Sequence, residues 1–107
     1  MKIQVKSIKD AIDEATIDYL KERLENLDKY SFDGATAAVI VKKEKYLHTV
    51  EISLHTRHWY LFVHHAADDL RNAIDMAVDK LKRQLIKYHQ KMNRRKTSRR
   101  TGEENED

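Results

Sequence analysis

With 107 residues, no cysteine, 40% hydrophobic and 36% charged residues, the chain can hold one small core under a heavily charged surface, and a disulfide framework is excluded. The N-terminus MKIQVKSIKD lacks the apolar run of an export signal, and no window approaches the roughly 20 apolar residues that cross a bilayer, so a cytosolic protein without a membrane partner is expected. The net charge of +3 hides a segregation: residues 1–79 carry −3, residues 80–100 carry ten Lys and Arg with no acid, and residues 101–107 carry four acids. Such a basic block is the electrostatic footprint of a polyanion partner.

KIQVKS alternates Ile3 and Val5 with polar residues, the period of a short strand. From a cap at Asp10 or Asp13 to about Lys29, Thr16, Ile17, Leu20, Leu24 and Leu27 recur at three- and four-residue steps and predict an amphipathic helix. Tyr30 to Gly34 breaks it. Three strands are then expected at Thr36 to Lys42, Tyr46 to His55 and Trp59 to His65, joined by Lys43-Glu44-Lys45 and Thr56-Arg57-His58. In the second of these, Val50, Ile52 and Leu54 alternate with Glu51, Ser53 and His55, which gives one face to a core and one to solvent.

Asp68 or Asp69 caps a second helix, in which Leu70, Ile74, Ala77, Val78, Leu81, Leu85 and Tyr88 form one apolar stripe that runs to about Met92. The order β-α-β-β-β-α predicts an α+β fold, a four-stranded sheet with two helices packed on one face. The first two strands flank a helix and are expected to run parallel through a right-handed crossover, the others antiparallel. Residues 1–92 form the folded domain on this reading, and 93–107 a basic-then-acidic tail, disordered in the free protein.

The second helix carries a family resemblance. Asp69-Leu70, Ala73-Ile74-Asp75, Val78-Asp79-Lys80-Leu81-Lys82-Arg83-Gln84-Leu85 and Lys87-Tyr88 resemble the signature helix of the ribosome hibernation promoting factor family, which includes the ribosome-associated translation inhibitor, once called sigma-54 modulation protein. Asn26-Leu27-Asp28-Lys29-Tyr30, Phe32-Asp33, Val41-Lys42-Lys43-Glu44-Lys45 and Leu54-His55 extend the match over about residues 3–92. The sequence departs from the family pattern at Arg71-Asn72 (commonly Tyr-Ala), at His58-Trp59 (commonly Gly-Gly) and in lacking a glycine after the first strand. The resemblance implies a topology similar to double-stranded RNA-binding domains and binding in the decoding region of the small ribosomal subunit, where the protein would block tRNA and mRNA sites. It also implies a short form, without the C-terminal dimerisation domain of long members.

Lys80, Lys82, Arg83, Lys87 and Lys91 lie off the apolar stripe. Charged helix faces are usually just solvated. Here, however, no acid between 80 and 100 supplies an i,i+4 partner, so self-repulsion opposes the helix unless a polyanion binds. Arg94 and Arg95 continue the block toward the tail. Lys42, Lys43 and Lys45 sit at a hairpin tip, where lysines are common because tips are wet; the family fold implies that loop and helix cations share one RNA surface and position the protein on phosphates.

Other chemistry has little support. His55 and His58 stand at H-x-x-H spacing, but adjacent His64 and His65 point to opposite faces of a strand, and the helical zinc-protease pattern is absent, so no metal is expected. Without a P-loop, a nucleotide-binding glycine pattern or a nucleophile elbow, no enzyme, cofactor or small-molecule substrate is expected either. The pair Asp75 and Asp79 reads as a helix-surface pair. The function expected is that of a ribosome-associated inhibitor, monomeric when free, whose partner is small-subunit rRNA. The alternatives are a free-standing double-stranded RNA-binding module and a module whose basic tail binds an acidic protein.

Overall fold

Each run of alternating residues becomes a strand and each three-to-four-step run a helix, in a computed structural model that describes residues 1–8, 11–27, 34–56 and 59–101, with the side chains of 89 and 91–101 set aside. The elements are β1 (Lys2–Ser7), α1 (Glu14–Glu25), β2 (Thr36–Glu44), β3 (Leu47–His55), β4 (Tyr60–Ala67) and α2 (Leu70–Thr101). The sheet order is β1-β2-β3-β4, with β1 parallel to β2 and the other pairs antiparallel. This is the α+β arrangement that the alternation and helical stripes predict.

Registration explains the core. Val5, Val39, Ile52 and Val63 lie side by side across the four strands, as do Ile3, Ala37, Leu54 and Leu61, so one face presents a continuous apolar surface. Leu20 and Leu24 of α1 and Ala73, Ile74, Ala77, Val78, Leu81 and Leu85 of α2 close over it, all of them buried. Among the described residues no polar or charged side chain is buried with them.

The caps are resolved between the candidates. Asp13 accepts the Thr16 amide at 2.9 Å and Asp69 accepts the Asn72 amide at 3.0 Å, each satisfying one orphan N–H of its helix. The hydrogen bond from Thr16 lowers the Asp13 carboxyl below its ordinary value of 3.8. Asp10 lies outside the described residues, as do the helix end expected near Lys29 and the turn residues Arg57 and His58.

Two expectations are corrected. β2 and β3 extend until only Lys45 and Tyr46 join them, and Lys45 takes φ 57, a left-handed conformation uncommon for a side chain with a Cβ. Trp59 is not part of β4. The Thr56 amide donates to its carbonyl at 3.0 Å to close the turn, and its ring packs 5.1 Å from that of Tyr88.

The third correction concerns α2, which continues past Met92 to Thr101. No proline interrupts residues 93–101, the first glycine after Gly34 is Gly102, and Arg and Lys are good helix formers. Residues 93–101, the first part of the expected tail, continue the helix, and 102–107 lie outside the described residues. Leu85 is the last buried side chain among those described on α2, and Tyr88 beyond it packs on Trp59. The 32 residues of α2 make a helix of about 48 Å, longer than the sheet of strands up to nine residues, and the molecule's long axis reaches 54 Å.

The two helices are tied by half-exposed polar groups, among them the surface pair Asp75 and Asp79. Asp75 and Asp79 face α1: Arg23 Nη2 donates to Asp79 at 3.3 Å, its Nε lies 3.5 Å from Asp75, and the Tyr19 hydroxyl donates to Asp75. The Arg71 guanidinium lies 4.0 Å over the Tyr19 ring. The matched i,i+4 spacings, Tyr19 with Arg23 on α1 and Asp75 with Asp79 on α2, were the signal for this pairing.

Candidate nucleic-acid interface

The apolar stripe of α2 fixes where its cations point. Because Ile74, Leu81 and Leu85 face the sheet, Lys82, Arg83 and Lys87 are exposed, and among the described residues no ion pair engages any of them. Lys82 lies on the flank toward α1, where with Arg23, Asn26, Leu27, Val78 and Asp79 it lines a cleft of about 460 Å³. Lys80 lies on the opposite flank, and its ammonium donates to the carbonyl of His64 on the edge strand β4 at 2.9 Å. Lys80 thus has a structural partner, whereas among the described residues no hydrogen bond or ion pair engages the other three.

Lys80, Arg83 and Lys87 stand three and four residues apart, which puts them on neighbouring turns of one helix side. The backbone positions of Lys91 and Arg94 continue that spacing; their side chains, and that of Arg95, lie outside the described residues. Phosphates along a nucleic-acid strand suit such a row, because each lysine or arginine can neutralise one without reading a base.

The hairpin lysines are not brought to this row. α2 starts beside the β2–β3 tip, where His48 pairs with Ala67, and runs back over the sheet until Tyr88 meets Trp59 at the far end. The tip and the basic half of α2 are therefore separated by about the length of a strand, roughly 25 Å for eight residues. The hairpin tip and the basic half of α2 thus lie toward opposite ends of the sheet. Within the hairpin, Lys43 and Lys45 are exposed, while Lys42 pairs with Glu51 at 3.0 Å.

His64 is exposed on the uncovered face and His65, opposite Val50, is half-buried on the helix-covered one. Among the described residues no group of three His, Cys, Asp or Glu could hold a metal ion, and no helix is long and apolar enough to cross a membrane.

Comparison with known proteins adds to this geometry. A ribosome hibernation promoting factor of Azotobacter vinelandii is 32% identical over 92 residues, covering 85% of each chain. Ribosome hibernation promotion factors of Lactococcus lactis and Staphylococcus aureus are 28% and 30% identical, but this chain spans only 53% and 48% of their lengths. Among solved structures, the N-terminal domain of Thermus thermophilus Protein Y superposes with a TM-score of 0.76 at 28% identity, covering 82% of this chain and 99% of that one. A ribosomal subunit interface protein of Coxiella burnetii, at 21% identity and a TM-score of 0.71, covers 82% of this chain and 97% of its own and shares the fold. The family model described as sigma 54 modulation protein / S30EA ribosomal protein matches residues 3–93, and the chain belongs to that family.

Proposed function

We propose that this chain is a cytoplasmic ribosome hibernation factor that docks on rRNA of the small subunit in the decoding region and blocks the tRNA and mRNA sites. The observation that carries the reading is the set of exposed cations on α2 that no ion pair among the described residues engages. Lys82, Arg83 and Lys87 are exposed on a rigid helix whose opposite face is core, and no acid between 80 and 100 offsets them. Family membership and the names of the relatives agree with a ribosomal partner.

On this proposal, residues 1–92 are the docking unit and the basic part of 93–107 follows phosphates away from it. The factor works by occupancy: it fills space that tRNA and mRNA need, so it needs no catalytic group, metal or cofactor, and it acts as a monomer. The lysines at the β2–β3 tip touch a separate RNA segment from that under α2, because the two regions lie at opposite ends of the sheet.

Sedimentation of the full chain with purified ribosomal subunits tests this. The protein is expected to co-migrate with the small subunit and to leave it as monovalent salt rises. Replacing Lys82, Arg83 and Lys87 together by Ala is expected to weaken that association with an unchanged circular dichroism spectrum. Equal binding to any duplex RNA, with no preference for the subunit, would replace the ribosomal reading with that of a general double-stranded RNA module.

A further inference from the structure

Both helices lie on one face of the sheet, and the other face is uncovered. Along its rows stand Lys2, Thr36, His55 and Tyr60, then Gln4, Ala38, Ser53 and Phe62, then Lys6, Ile40, Glu51 and His64. Tyr60 is 62% exposed and Phe62 44%, a large apolar area to leave in water on a small protein. We propose that this face binds an unpaired RNA segment by stacking bases on Tyr60 and Phe62.

Four rings gather on the β4 side. His55 packs 6.3 Å from Tyr60, and Phe62 packs 5.9 Å from His64, both tilted, so each exposed aromatic ring is steadied by an imidazole. Thr36, Ala38 and Ser53, in the rows of Tyr60 and Phe62 on the central strands, are small. The opposite edge is β1, about 14 Å away across three strand spacings, with Lys2 and Lys6 exposed along it. Rings on one side for bases and ammonium groups on the other for phosphates is the layout of a single-strand platform.

Charge favours RNA over a protein partner. The side chains beside the rings are the imidazoles of His55 and His64 and the hydroxyl of Ser53, the far edge carries Lys2 and Lys6, and Glu51, the acid opposite His64, is already held by Lys42. Tyr60 also lies at the sheet end toward which the basic half of α2 runs, so a strand leaving the platform meets the cations of that helix. The platform is a second RNA surface, on the face opposite to α2, and it stands independently of ribosomal docking.

The test uses the full chain and a labelled eight-nucleotide oligoadenylate, with a blunt-ended RNA duplex as the double-stranded control, both followed by fluorescence anisotropy. Tyr60→Leu and Phe62→Leu keep apolar area but remove the ring. Each is expected to weaken oligoadenylate binding by roughly 5- to 150-fold, the usual loss of one base stack, while duplex binding stays within about twofold. Phe62→Trp is expected to retain binding. Wild-type affinity in both leucine variants, or no binding of oligoadenylate by the wild type, overturns the proposal. A photo-crosslinker at position 62, irradiated on ribosomes, is expected to label RNA; an adduct in a ribosomal protein overturns it in favour of a protein-docking face. The oligonucleotide measurement needs no ribosome, so its failure is distinct from a failure of docking.

Discussion

The ammonium of Lys42 lies 3.0 Å from a carboxylate oxygen of Glu51 on the adjacent strand, so a cation that the sequence offers to RNA is partly neutralised before any RNA arrives. Glu51→Gln is expected to release it. RNA affinity should rise, and the slope of log affinity against log salt should steepen by up to about one phosphate equivalent, roughly 0.7–0.9. The half-exposed pair contributes about 0–1 kcal/mol, so stability should hardly change. A salt titration that returns the wild-type slope and affinity would mean that Lys42 does not face RNA.

Lys80 and Lys87 look equivalent in sequence but differ in partner. Lys80→Ala removes the hydrogen bond to the His64 carbonyl and is expected to destabilise the fold by about 0.5–1.5 kcal/mol in denaturant titration. Lys87→Ala is expected to leave the midpoint unchanged and to reduce RNA affinity. Identical effects of the two on stability would contradict the contact.

Tyr19 makes stability depend on alkaline pH. Its hydrogen bond to Asp75 raises its pKa above the ordinary 10.0, and burial and the Asp75 charge act in the same direction. A raised folded-state value means that the contribution is complete below about pH 10 and disappears as the pH climbs through the folded value. Tyr19→Phe is therefore expected to cost about 0.5–1.5 kcal/mol at neutral pH. The gap between the two proteins should close above pH 10, as urea titrations at a series of pH values would reveal.

Leu81 is fully buried midway along α2. Leu81→Ala is expected to cost about 2–5 kcal/mol, the transfer term plus a cavity, with a lower urea midpoint and no change in the salt dependence of RNA binding.

Truncation after Met92 removes the part of α2 beyond the last described core contact. Folding stability is expected to persist, because Leu85 and the Trp59–Tyr88 contact remain, while ribosome affinity falls and its salt slope flattens. A truncated protein that melts like the wild type and binds ribosomes equally well would remove the tail from the interface.

The elements, their order and most of the core could be read from residues 1–92, because alternation and three-to-four-step periodicity are local properties of the chain. Ala37, Val39, Val41, Val50, Ile52 and Leu54 announce themselves by pattern, and so does the stripe from Leu70 to Tyr88. The concentration of cations after Lys80 is equally a property of sequence, and it pointed to a polyanion without any fold. What the tertiary structure decided is where distant residues meet. Glu51 reaches Lys42 only through the register of β2 against β3, and Asp75 and Asp79 meet Arg23 only because α1 lies beside α2. The separation of the hairpin lysines from Lys82, Arg83 and Lys87 follows from the path of α2 back across the sheet. Periodicity assigns a residue to a face, but only packing between elements sets which end of that face it occupies and which charge stands opposite.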